Sequence, residues 1–125
     1  MITKDANGNY FYDGNRILVS YMRGDHHPIK NPIQSRFEPE YLIKYYPGPV
    51  GVVIAFVHDG ELKFGYSKAN IWRGDRFDRK RGIEVSVDRA MLKNIQFPFE
   101  EFSENFDIYD ALHRLYGRAK NYFKM

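Results

Sequence analysis

The sequence predicts a single α+β domain over residues 1–125: an antiparallel sheet of four or five strands with two carboxy-terminal helices packed on one face. Three observations carry that prediction. Runs of aromatic and β-branched residues flank Asp-Gly turns in the first half of the chain. Val50 to Val57 is a near-continuous apolar stretch, as a central strand requires. From Ile108 to Phe123, apolar residues recur at the i, i+4, i+7, i+8 spacing of a helix with one buried stripe. With 125 residues, 43% of them apolar and 17% aromatic, the chain can build one core.

In chain order, Asn7-Gly8-Asn9 and Asp13-Gly14-Asn15 bracket Tyr10-Phe11-Tyr12, and Arg16 to Met22 follows as a strand-like run. The two runs around Asp13-Gly14 predict a first hairpin. Arg23 to Gln34 contains Gly24, Pro28 and Pro32 without periodicity and reads as an irregular loop. Arg36 to Tyr46 fits either a short helix after Pro39 or an extended aromatic edge strand, with Pro47-Gly48-Pro49 as its end. His58-Asp59-Gly60 then turns the central strand into Glu61–Ser67, where Leu62, Phe64 and Tyr66 alternate with Lys63, Gly65 and Ser67.

Ala69 to Asp78 reads as a loop, with Asp78 placed to cap a helix from Arg79 to about Asn94. Ile83, Val87, Ala90 and Met91 fit that helix, whereas Ile83, Val85 and Val87 also alternate as a strand would. The helix is favoured because Arg-Ala-Met-Leu-Lys continues it with strong helix formers, although Gly82 weakens its start. Phe97-Pro98-Phe99 interrupts the chain, and the last helix starts near Ser103 or Asp107. Its acidic beginning and basic end suit the helix dipole, and Gly117 inside it predicts close packing.

Composition excludes several functions. The chain has no cysteine, which removes disulfides, thiol catalysis and cysteine-based zinc sites. The first residues carry no apolar leader, and the longest apolar run is far short of the roughly 20 residues that span a bilayer. The expectation is a soluble intracellular protein without a membrane partner. There is no phosphate-binding glycine loop, nucleophile elbow or dinucleotide fingerprint, so an enzyme is not the first expectation, nor is a cofactor.

Charge placement is more informative. Between Lys63 and Arg81, seven basic residues face only Asp75 and Asp78, whereas Glu100 to Asp110 carries five carboxylates and no base. Arg73, Arg76, Arg79, Lys80 and Arg81 interleave with Trp72 and Phe77, and Tyr66 ends the preceding strand. Cations among aromatics on a loop that opens a helix can hold phosphates while rings stack on bases. The plainer reading is a solvated loop neutralised by Asp75, Asp78 and the acidic segment. Asp25-His26-His27, with His58 and His113 elsewhere, supplies possible metal ligands, but adjacent histidines are a poor ligand spacing and a surface loop is the simpler reading. The carboxylates at 100–110 read as helix-start stabilisation before a metal or acid/base site.

Phe64-Gly65-Tyr66-Ser67-Lys68-Ala69-Asn70, continuing through Asp75-Arg76-Phe77-Asp78-Arg79-Lys80-Arg81-Gly82-Ile83 to Asp88-Arg89-Ala90, resembles a type of small accessory protein encoded by bacteriophages. In that type a strand ending Gly-aromatic-Ser leads through Asn to Asp-x-Phe, basic residues, Gly and a helix. The resemblance covers about a third of the chain. It implies a phage or prophage origin, hence the cytoplasm of a bacterial host, and carries no activity with it. The expected function is a non-enzymatic accessory protein contacting nucleic acid, or a nucleoprotein complex, through Tyr66, Trp72, Arg73, Arg76, Phe77, Arg79, Lys80 and Arg81. The alternative is a protein that binds and modulates a host machine through the aromatics of the first hairpin and Tyr41–Tyr46. A metal-dependent nuclease comes third.

Overall fold

The computed structural model describes residues 1–30, 36–37, 41–93 and 95–125, with the side chains of 25–30, 41–44 and 72 outside that description. Five strands, β1 (Ile2–Lys4), β2 (Tyr10–Tyr12), β3 (Asn15–Lys30), β4 (Tyr41–His58) and β5 (Glu61–Lys68), form an antiparallel sheet in chain order. Two helices follow, α1 (Arg79–Leu92) and α2 (Phe106–Phe123). The predicted α+β class and single sheet are what the chain adopts.

Two hairpins use the residues that the turn geometry demands. Tyr12 pairs with Asn15 across Asp13-Gly14, and His58 pairs with Glu61 across Asp59-Gly60. All four central residues have positive φ, from 47° at Asp13 to 84° at Gly14, as a two-residue turn matched to the sheet twist requires.

The expected irregular loop from Arg23 is instead strand. β3 runs through Gly24 and Pro28 to Lys30, and β4 runs through Pro47-Gly48-Pro49, so neither breaker ends its strand. Of the two readings of 36–46, the extended one holds from Tyr41 onward. The ladder absorbs the breakers in a local irregularity: Arg23 pairs with Pro49 and Asp25 with Tyr46, leaving Gly24 (φ 83°) opposite Pro47-Gly48. A Cβ on Gly24 would meet the Tyr45 hydroxyl at 2.7 Å, and one on Gly48 would meet the Tyr46 ring at 2.9 Å, so each glycine makes room for a tyrosine. β5 pairs β4 only over Gly51–His58, and β2 pairs β3 only over Asn15–Ile17. Residues 23–30 and 41–49 therefore form a two-stranded ribbon, where each strand keeps an edge that can seat a proline without losing a ladder bond.

The helices do not share a face. Val52, Ile54 and Phe56 of β4 pack with Ile83, Val87 and Ala90 of α1, while Val53 and Ala55 pack with Ile108, Leu112, Leu115 and Ala119 of α2. Successive strand residues point to opposite sides, so the sheet lies between the two helices. The cause is the apolar run itself: a strand without polar alternation needs cover on both faces.

α1 starts where Asp78 predicts, its carboxylate accepting the Arg81 N–H at 3.0 Å. Its contact seam is made of small residues. Gly82, Ser86 and Ala90 are buried one turn apart, and the Ser86 hydroxyl donates to the Gly82 carbonyl at 2.7 Å. A Cβ on Gly82 would sit 3.0 Å from the Phe77 ring, and one on Gly65 of β5 would overlap the Ser86 carbonyl. Met91, placed on the buried stripe by spacing, is 36% exposed. α2 begins at Asn105, whose side chain accepts the Ile108 N–H, and buries the predicted stripe. Gly117 departs from expectation: it is exposed, and nothing lies within 4 Å of a Cβ built on it. Among the described residues no helix is long and apolar enough to cross a membrane.

Candidate nucleic-acid interface

The basic loop joins β5 to α1 and is shaped by its own carboxylates. The Asn70 carbonyl accepts the N–H groups of Arg73 and Asp75, both at 3.1 Å, while the Asp75 carboxylate accepts the Asn70 N–H at 3.3 Å. Asp78 is committed to the α1 cap. Both acids that would neutralise the loop therefore hold backbone, and Arg73, Arg76, Arg79, Lys80 and Arg81 are exposed.

Pairing follows the same division. Arg81 has Glu84 at 3.9 Å, a loose exposed contact, and among the described residues Arg73, Arg76, Arg79 and Lys80 pair with no carboxylate. The acidic segment serves other bases: Glu101 pairs with Lys93 at 2.8 Å, Asp107 with Lys68 at 3.8 Å and Asp110 with Arg114 at 3.0 Å. The helix it opens lies on the sheet face opposite α1.

The aromatic residues expected at the site divide. Tyr66 is built into the body: Phe102 meets its ring edge-on at 4.9 Å, the Arg89 guanidinium stands 4.9 Å from its centroid, and Arg89 donates to its carbonyl at 3.1 Å. Phe77 is half-buried, perpendicular to Tyr21 at 6.1 Å and against Gly82. Both rings are half-buried and contribute packing. The Trp72 side chain lies outside the described residues.

Sequence reasoning missed Tyr21, whose ring carries the Arg79 guanidinium at 5.1 Å. Burial, and secondarily the nearby Tyr10, raises the Tyr21 hydroxyl above its ordinary pKa while Arg79 opposes the shift. Tyr21 stays neutral at pH 7 and leaves the Arg79 charge uncompensated. In the sequence Tyr21 shows only as the aromatic that continues the alternation of Ile17 and Val19.

The possible metal ligands are not assembled. His58 lies at the β4 turn beside Asp59 and Tyr12, on the α1 side, whereas His113 sits among Tyr109, Phe97 and Phe99 on the α2 side, its Nε2 hydrogen-bonded to the Pro98 carbonyl at 2.7 Å. The side chains of Asp25, His26 and His27 lie outside the described residues. Among those described, no three His, Asp or Glu side chains form a metal-holding group. What the loop offers chemically is a set of exposed cations at a helix start, suited to hydrogen-bonding phosphate oxygens. Comparison of the chain with protein-family models, with curated proteins and with solved structures finds no match.

Proposed function

We propose that the protein is a non-enzymatic accessory protein of phage or prophage origin, acting in the bacterial cytoplasm, that contacts nucleic acid or a nucleoprotein complex through the loop from Trp72 to Arg81. One observation carries the reading. The cations at 73, 76, 79 and 80 are exposed and without carboxylate partners among the described residues, while Asp75 and Asp78 are spent on loop and cap. Left unpaired within the fold, these cations keep their hydrogen-bond donors available to phosphate oxygens.

Binding should be driven by counterion release, weaken steeply with salt and show little sequence preference. The test is fluorescence anisotropy with labelled DNA and RNA at two salt concentrations, for the wild type and for Arg79, Lys80 and Arg81 replaced together by glutamate. The triple variant should fold and fail to bind. A wild type that does not bind at low salt overturns the proposal and moves the reading to a protein-binding modulator. Tyr45 and Tyr46, 57% and 36% exposed, are then the first surface to substitute.

A further inference from the structure

The cations of α1 border a cleft that the loop reading does not include. Register places Lys4 opposite Tyr10, Ile2 opposite Tyr12 and Tyr10 opposite Ile17, so these side chains share the α1 face of the sheet. α1 itself lies over β4 and β5. Its flank, not its underside, faces the β1–β2 hairpin, and the space between them holds two cavities of about 380 and 240 Å³ that share Ile2 and Lys80.

The cleft has a polarity. Its smaller part is lined by Ile2, Thr3, Lys4, Tyr10 and Lys80, and the Lys4 ammonium stands 5.5 Å from the Tyr10 ring centroid. Arg79 precedes Lys80 in the first turn of α1 and extends the positive mouth toward Tyr21. The larger part ends at Glu84 and Asp88, with Tyr12 and Val87 between. Apolar and aromatic walls with cations at one end and carboxylates at the other do not suit the charged backbone of a duplex along their length. They suit a flat base inside and a phosphate at the mouth.

Building on the loop reading above, we propose that the cleft between the β1–β2 hairpin and α1 is a nucleotide subsite for single-stranded nucleic acid, with a base against Tyr10 and Ile2 and the flanking phosphates on Lys4, Arg79 and Lys80. Lys4 and Tyr10 then determine the preference for single strands, and the loop arginines supply general attraction.

The test uses the full chain with a short fluorescein-labelled oligothymidine, the matching duplex, and a bromodeoxyuridine-substituted oligothymidine for photocrosslinking. Lys4→Glu should weaken single-strand binding several-fold and reduce the salt slope by about 0.7, the share of one phosphate contact. Lys124→Glu, an equal charge change at the far end of α2, should do neither. Tyr10→Leu should cost about fivefold to a hundredfold on the single strand and little on the duplex. Crosslinks should map to Tyr10 or Tyr12, a readout that does not depend on a variant folding. Crosslinks confined to residues 71–82, with Lys4→Glu binding as the wild type does, overturn the subsite and leave the loop reading standing. No binding by the wild type at low salt overturns both.

Discussion

Glycine to alanine at positions 65 and 117 should change stability in opposite directions, and the difference tests how α1 is seated. At Gly65 an added Cβ overlaps the Ser86 carbonyl oxygen, stands 2.8 Å from the carbonyl carbon and 3.2 Å from the Ala90 Cβ. The obstacle is helix backbone, which no rotamer change can move, so α1 must lift from β5 and open the seam along Gly82, Ser86 and Ala90. Overpacking of this kind costs about 1–3 kcal/mol or more, and lifting the helix also loosens Ile83 and Val87. At Gly117 the new methyl enters open space on a helix, so the replacement recovers the roughly 1 kcal/mol by which glycine trails alanine. Urea unfolding followed by circular dichroism measures both midpoints. Ala90→Gly should not rescue Gly65→Ala, since the closest clash is with Ser86. A neutral Gly65→Ala refutes the close seating of α1 on β5.

Other outcomes follow from the same structure. Leu112→Ala and Leu115→Ala each empty a buried site on the α2 face and should cost about 2–5 kcal/mol by the same assay; an unchanged midpoint would mean that the stripe does not face the sheet. Asp78→Ala removes the acceptor of the Arg81 N–H and should cost about 1 kcal/mol, whereas Asp78→Asn should retain most of it. The backbone N–H of Asn9, aided by its side chain, the Asn7 N–H and Arg16, holds the Asp5 carboxyl below its ordinary 3.8 against a smaller effect of burial. Because the folded value is the lower one, the contribution is whole above 3.8 and lost as pH falls. Amide exchange at Asn7 and Asn9 should therefore lose protection as pH falls below 3.8, relative to an Asp5→Asn control.

What the sequence made legible were features encoded locally. Asp13-Gly14 and Asp59-Gly60 announce their turns, Asp78 announces a cap, and the α2 stripe needs only its own spacing. The ribbon was illegible because Gly24, Pro28 and Pro47-Gly48-Pro49 act as breakers in isolation and become harmless only when a bulge sets Gly24 against Pro47-Gly48. The division of the helices between faces was implicit in the unbroken apolar run of β4, yet the number of helices alone does not say which face each covers. The α1 seam escaped because Gly82 and Ser86 are not apolar signals; they matter for being small. At the site, the loop cations form one block in sequence and were visible, whereas Lys4 and Tyr10 join Lys80 only through sheet register.

The two helices supply an internal comparison bearing on why the cations are where they are. α2 follows the dipole, with Asp107 in its first turn and Lys120 in its last. α1 has no acid in its first turn and instead carries Arg79, Lys80 and Arg81 there. Each such charge opposes the partial positive charge of the exposed N–H groups, by about 0.3–1 kcal/mol at low salt and less as salt screens it. The chain can evidently build a dipole-matched helix, and at α1 it does not. Fold stability alone favours acids at those positions, so the glutamate triple variant that should lose nucleic-acid binding should also unfold at higher urea than the wild type. Gain of stability with loss of binding is the signature of a functional cation cluster. Loss of both would mean that the three side chains hold α1 in place through contacts such as Arg79 on Tyr21, and that the loop is structural.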